Sequence, residues 1–342
     1  MSDATRVLHR FCFAILAVGG LSASALADDH LLLSEVCPSD AYEFIEIYNP
    51  LGVPVDLTNY YLSDSPIYCR RPQQIPPVPS PGDFVVQFPL GSSIGPGARK
   101  VIALNGTAFA THFGFDADFE FPPGEGDPDG PAANMVGPYP GSLNLPNIGN
   151  TGEGLTMFFW NGASDLVQDV DILRAGQPSA GDDVQSKTGI SVDGPDPDSV
   201  QTFYVPEAIT MPAMTLNAGA TNSYKRRFLE GTNEYACGGN GITGNQELSE
   251  NIAINWDGNV GPLTLPNPGT GVNLSTPPGQ CFADIVHNNA VDVNDLLAVI
   301  STWGACGDCQ ACPADIAPST CHDCTINVND LLAVITTWGA CP

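Results

Sequence analysis

The residues best suited to chemistry lie in the last 62 positions of the chain, and the chemistry they suit is holding a cation. Asp284, Asn288, Asp292 and Asp295 place side-chain oxygens at positions 1, 5, 9 and 12 of a twelve-residue loop. Ala290 offers its carbonyl at position 7. Carboxylate, amide and carbonyl oxygens at this spacing suit calcium, a hard ion that takes six to eight oxygen ligands. Position 3 is Val286, which has no donor atom, and Asn289 stands at the sharp turn, where a left-handed backbone is tolerated. The same residue types return as Asp315, Asp323, Asn327 and Asp330. Four extra residues separate Asp315 from the other three, so one regular and one degenerate site are expected.

A duplicated element positions these residues. Segment 291–306, VDVNDLLAVISTWGAC, returns as 326–341, INVNDLLAVITTWGAC, with thirteen of sixteen positions identical. Two copies of one unit imply that neither buries its apolar face alone. In the first copy Leu296, Val299, Ile300 and Trp303 fall at helical spacing on one face. Asp292, Asn294 and Asp295 crowd the helix start, where caps and anions are favoured, and Gly304 is expected to end the helix. The loop followed by VNDLLAVI resembles the dockerin repeat of secreted bacterial proteins, an EF-hand-type loop with one following helix. That resemblance implies calcium on the residues named above. It also implies docking to a cohesin-like partner through faces that include Leu296, Val299, Leu331 and Val334.

Residues 1–27 read as a signal peptide: Arg6 and Arg10, an apolar run Phe11–Val18, and a small-residue end at Ala25-Leu26-Ala27. The apolar run is too short to span a membrane. A secreted protein, extracellular or in the cell envelope, is expected. The chain carries a formal charge of −27, which disfavours nucleic acid and anionic membranes and favours divalent cations. Its 43% hydrophobic content is too high for a disordered acidic tail. The 36 glycines and 31 prolines favour short strands and many turns.

Of eleven cysteines only Cys12 lies in the leader, and an even remainder in an exported chain suggests disulfides. The repeat suggests Cys281–Cys306 and Cys312–Cys341 as equivalent bridges, with Cys321 and Cys324 pairing locally. Cys309 and one of Cys37, Cys69 and Cys237 remain over. Zinc held by Cys309, Cys312, Cys321 and Cys324 is the rival reading, although the gap between the two pairs is short for it.

Upstream, His30–Val36, Glu43–Pro50 and Val55–Asp64 read as strands. In the second, Ile45 and Ile47 should face a core and Glu46 the solvent. SEV, then EFIEIYNP, then VDLTNYYLSD resembles the start of a lamin-tail domain. Further matches are a strand in Gly97–Asn105, a helical turn in Thr107–Gly114, and a late hairpin from Gly152–Trp160 and Leu166–Leu173 around Asn161-Gly162. Ser223–Phe228 and Trp256 match its final elements. The resemblance implies an immunoglobulin-like β-sandwich over 28–257, so the expected fold class is mainly β with a small α-helical dockerin-like module. Residues 258–280 read as a Pro/Gly-rich linker, and 281–342 as the tandem repeat.

No catalytic constellation stands out. Gly91-Ser-Ser-Ile-Gly95 matches a nucleophile elbow only formally, because Pro96-Gly97 replaces the helix that must come next. Gly239–Gly244 matches GxGxxG without a βαβ context. Lys187-Thr188-Gly189 lacks the Ser-x-x-Lys that would accompany it in a β-lactamase. Glu43 and Glu46 lie on opposite strand faces. The acids Glu125, Asp127 and Asp129, and Asp193, Asp196 and Asp198, read as solvated loop residues more readily than as calcium ligands. Lys225-Arg226-Arg227 is expected to pair with acids more readily than with a sulfated glycan. The expected function is non-enzymatic: a binding or structural β-domain tethered to a calcium-dependent docking module. The alternatives are a carbohydrate-binding accessory subunit of a polysaccharide-degrading assembly and a purely structural surface protein.

Overall fold

The computed structural model describes residues 30–342 apart from 40, 125–128, 180, 208, 210, 212, 228, 230–238, 245, 251, 258–263, 271–273, 275–282, 287, 289, 308–311, 318–323, 341 and 342. The expected signal peptide, most of the expected linker, and Cys237, Cys281, Cys309, Cys321, Asp323 and Cys341 lie outside the described residues.

The fold is mainly β. Numbered in chain order, a six-stranded sheet runs β14 (Tyr224–Lys225), β1 (Leu32–Cys37), β2 (Phe44–Tyr48), β7 (Arg99–Ala103), β8 (Phe119–Glu120), β9 (Ala133–Asn134). A four-stranded sheet runs β11 (Gln168–Gly176), β10 (Gly152–Phe159), β4 (Tyr60–Ser63), β5 (Val85–Gln87). Two short ladders join β3 (Val55–Asp56) to β6 (Ser93–Ile94) and β12 (Ser191–Val192) to β13 (Thr202–Phe203). One core draws on both large sheets: Leu33, Ile45, Ile47 and Ile102 meet Leu62, Leu155, Met157 and Ile172. Alternate apolar residues of each strand point into that layer, as strand geometry requires.

The β10–β11 hairpin forms as the Asn161-Gly162 turn predicts. Asn161 Oδ1 accepts from the N–H of Ala163 and Ser164, and Gly162 supplies φ 81°. Between β7 and β8, helix α1 (Gly106–Phe113) is capped by Asn105, whose side chain accepts from Ala108 N–H, and closes on Gly114 at φ 80°.

Two strand expectations need correction. The segment 55–64 is two strands in different ladders. Asp56 accepts from Thr58 N–H and a turn from Leu57 to Tyr60 bends the chain between them. Glu46 does not face solvent: it is fully buried, 2.8 Å from Arg99 Nη1, and accepts from Gly269 N–H at 2.6 Å. The covering residues come from the expected linker. Asn267 N–H bonds Glu35, and Leu274 packs on Leu32 and Tyr48.

A short helix α2 (Ile252–Asn255) precedes the tail, in which α3 (Val293–Ser301) and α4 (Val328–Thr336) are the duplicated helices. β15 (Ala290–Val291), just before α3, pairs with β18 (Gly339–Ala340), just after α4. β16 (Gly304–Ala305), just after α3, pairs with β17 (Thr325–Ile326), just before α4. Each copy therefore completes the other's ladder. The core between them is likewise paired by repeat: Val299 with Val334, Val291 with Ile326, Leu296 with Leu331, Ala283 with Ala314. This explains the duplication, since half of this core has no partner without the other half.

The expected helix face is corrected by this packing. The helix stops at Ser301 with Thr302 as its cap, so Trp303 lies beyond it and Gly304 belongs to β16. Ile300 and Trp303 are exposed, while Leu296 and Val299 face the core.

The expected bridges are also corrected: Cys306 is bonded to Cys312, which excludes Cys281–Cys306 and Cys312–Cys341. A zinc site using Cys312 is excluded with them. Cys324 is disulfide-bonded, and Cys37 and Cys69 are free and buried.

Candidate metal site

Each duplicated loop is tied to its helix by its last aspartate. In the first copy Asp295, fully buried, accepts from Val286 N–H at 3.0 Å and from Asp292 N–H at 2.8 Å. Asp292 also accepts from Asn294 N–H at 2.7 Å, and its reciprocal side-chain-to-backbone bonds with Asp295 make a capping box. Asp284 is also buried and accepts from Asn288 N–H at 2.9 Å. Asn288 Oδ1 in turn accepts from Ala290 N–H at 3.0 Å.

The second copy reproduces this closure in spite of its insertion. Asp330, fully buried, accepts from Ile316 N–H at 2.7 Å, Ala317 N–H at 2.8 Å and Asn327 N–H at 2.7 Å. Asn327 caps α4 as Asp292 caps α3. Asp315 is fully buried, and Ala317 stands two residues after it, as Val286 stands two after Asp284. In sequence the four extra residues fall between Ala317 and β17, and the closure of Ile316 and Ala317 onto Asp330 is kept.

The structure thus buries Asp284, Asp295, Asp315 and Asp330 and leaves Asn288, Ala290, Asp292 and Asn327 partly or fully exposed. Residues 281–342 contain seven aspartates and no lysine or arginine. The buried carboxylates therefore have no lysine or arginine within the tail to meet. Among the described residues, Asp284, Asp292 and Asp295 are not a group whose oxygens all lie within 4.8 Å. Asp315 does approach Cys306 and Cys312 that closely, but those sulfurs are joined to each other.

Elsewhere, Asp165, Asp193 and Asp196 bring carboxylate oxygens within 4.8 Å of one another. Asp165 lies 28 residues before Asp193 and carries no motif, so spacing did not reveal it. Two of the three are engaged in shaping loops: Asp165 with Gly194 N–H and Thr202 Oγ1, Asp196 with Asp198 N–H. Asp129 accepts from Asn134, while Glu125 and Asp127 lie outside the described residues.

The basic cluster is paired. Arg226, almost fully buried, donates from Nη2 to both oxygens of Asp171 at 2.7 and 2.9 Å, reaches Glu250 from Nη1 at 2.8 Å and lies over Trp256. Lys225 approaches Glu35 and Arg227 approaches Asp257. Glu43 accepts from Ile148 N–H, well apart in role from Glu46. Ser93 pairs with Asp56 in a strand, with no helix after it. Gly241 bridges to Asp169 and helps line a 440 Å³ hollow with Trp160, Leu166, Val205 and Asn240. The Trp160 ring is buried and its N–H is spent on Ser164 O.

No helix among the described residues is long and apolar enough to cross a membrane. No family's sequence profile matches the chain, and no curated protein matches it. Among solved structures it is similar to a DUF4876 family protein from Bacteroides thetaiotaomicron VPI-5482. The two are 14% identical, with a TM-score of 0.43, and the match covers 71% of this chain and 74% of that one. A likeness so distant carries no argument about fold or function.

Proposed function

We propose that this protein is an exported, non-enzymatic adaptor. A lamin-tail-like, immunoglobulin-like sandwich is carried with a dockerin-like tail whose calcium loops order a protein-docking face. The observation that carries this reading is the set of four buried aspartates in a tail without a single lysine or arginine. A carboxylate out of water needs charge compensation or several hydrogen bonds. Backbone N–H groups hold Asp295 and Asp330 in place, and a divalent cation would take these carboxylates as ligands beside Asp284 and Asp315. In the first loop Asp284 and Asp295 would hold the ion with Asn288 and the Ala290 carbonyl, and Asp292 would reach it through water, as position 9 of such loops does. In the second loop Asp315 and Asp330 would serve, with Asn327 in the Asp292 role. The matching closure of both loops favours two sites over one regular and one degenerate site.

The docking residues differ from those expected. Leu296, Val299, Leu331 and Val334 form the tail's own core. A second stripe stands outward on each copy: Val293, Leu297, Ile300, Trp303, and again Val328, Leu332, Ile335, Trp338. Each of the eight is 50–54% exposed. Eight large apolar residues repeated by symmetry are more than scattered surface hydrophobes. A cohesin-like partner would offer them an apolar surface with basic residues at its rim, opposite the tail's aspartates. The test is capture of a protein from the source organism's secreted or surface fraction by the full-length chain. Retention should require calcium and should be lost in the double variant Leu297→Asp, Leu332→Asp. Equal retention in chelator, or by that variant, contradicts the reading.

A further inference from the structure

Three lysines occur in the chain, and one of them, Lys187, is fully buried. Its Nζ contacts Asp169 Oδ2, lies 3.1 Å from Glu207 Oε2 and 3.3 Å from Tyr68 Oη. Asp169 is fully buried in β11, and Glu207 nearly so in the segment after β13. Around them close Tyr68, Cys69, Phe158, Val167 and Tyr204, all buried. The Tyr68 hydroxyl donates to Asp169 Oδ1 at 2.7 Å, and Asn240 N–H fixes Glu207 through Oε1 at 2.6 Å. Glu207 Oε2 lies beside the lysine nitrogen but outside hydrogen-bonding angles. A second buried charge cluster uses Arg226, whose always-charged guanidinium, with Nη2 on both oxygens of Asp171 and Nη1 on Glu250, suits a permanent ion pair. Here the cation is a primary amine, a nucleophile once it loses a proton.

We propose that Lys187 and Asp169 join as an intramolecular amide, with Glu207 as the proton carrier and Tyr68 as the hydrogen-bond donor to the reacting carboxyl. A proton passes from the Lys187 ammonium to Asp169 Oδ2, leaving a neutral amine against a neutral acid. Nζ attacks Cγ, and the charge that develops on Oδ1 is held by the Tyr68 hydroxyl. Glu207 takes one proton from Nζ and returns it to Oδ2, which leaves as water. The Nζ–Cγ bond forms, the Cγ–Oδ2 bond breaks, one water is released, and Glu207 ends as it began. No oxidant or outside reagent is needed. Fixed contact replaces a bimolecular encounter, and a neutral amide replaces an ion pair that is costly to bury. Burial pushes the Asp169 carboxyl up, toward the neutral acid. Burial drives the Lys187 amine down, but the two carboxylates more than offset it, so the proton must move within the contact.

The test is the intact mass of the full chain, reduced, denatured and referred to its measured N-terminus. The wild type should be lighter than its sequence by one water. A tryptic digest should contain a branched peptide joining Lys187 to Asp169, with no cleavage after Lys187. Lys187→Arg and Asp169→Ala should return to the full mass, and Glu207→Gln should stay at it. A wild-type chain at full mass that trypsin cuts after Lys187 overturns the proposal, and this needs no variant to fold. A lost water that persists in Lys187→Arg, as from an Asp-Gly step, overturns it too. A Glu207→Gln chain that cross-links completely removes Glu207 from the mechanism.

Discussion

Replacing Asp330 by alanine should unlock the second loop of the tail. Its carboxylate accepts three backbone N–H groups, from Ile316, Ala317 and Asn327, at 2.7–2.8 Å, and the side chain is fully buried. A hydrogen bond to a charged acceptor contributes about 1.5–3 kcal/mol, and a donor left unsatisfied by truncation costs about 1–3 kcal/mol. The three are not additive, since loss of one frees the segment that carries the next. A total of about 4 kcal/mol is therefore expected, which is roughly a thousandfold in an equilibrium constant. Hydrogen exchange of the full-length protein reads it locally. Amides of Ile316, Ala317, Asn327 and α4 should exchange about a thousandfold faster, while β10 and β11 keep their protection. Asp295→Ala removes two such bonds and should do less. Exchange of the Asp330→Ala tail within about threefold of wild type, well under 1 kcal/mol, would refute the claim that this carboxylate closes the loop.

Val299→Ala and Val334→Ala, in the core between α3 and α4, should each cost about 1–3 kcal/mol. Leu297→Ser and Leu332→Ser, on the outward stripe, should stay within about 0.5 kcal/mol in urea unfolding. Burial pushes Glu153 up to about 8, although the N–H groups of Gly149 and Gly154 bond it. A folded value above the unfolded one means that the folded state binds the extra proton. Stability from this group is therefore full below about pH 4.5 and falls as pH rises toward 8. Glu153→Gln should flatten the melting temperature across that window. Burial likewise pushes the thiols of Cys37 and Cys69 up, to about 12 and about 11, so iodoacetamide should label neither in the native protein and both after denaturation.

The repeat, the β10–β11 hairpin and α1 with its Asn105 and Gly114 caps are legible because their signals are local: periodicity, a turn dipeptide, a capping residue. The tail's helices are legible as well, but the single face read from spacing is split by the packing: Leu296 and Val299 meet the core, while Ile300 and Trp303 stay exposed. The dockerin resemblance puts Leu296 and Val299 outward, and packing turns them inward. The insertion hides the closure of the second loop for a related reason. Residue count between Asp315 and Asp330 suggests a broken loop, whereas closure depends on whether Ala317 N–H returns to Asp330, and a longer loop permits that. Least legible are the buried ion clusters. Arg226 bonds Asp171, 55 positions away, and Leu33 O, 193 away. Lys187 meets Tyr68 across 119 positions. Only the sheet topology brings such residues together.

The most direct test of the adaptor account is equilibrium dialysis of the full-length protein against calcium at physiological ionic strength. The account predicts two ions per chain, with dissociation constants of about 10⁻⁴–10⁻³ M. It also predicts that Asp295→Asn and Asp330→Asn each remove one of them. A chain that takes up no calcium, or takes up the same amount when both aspartates are replaced, contradicts it.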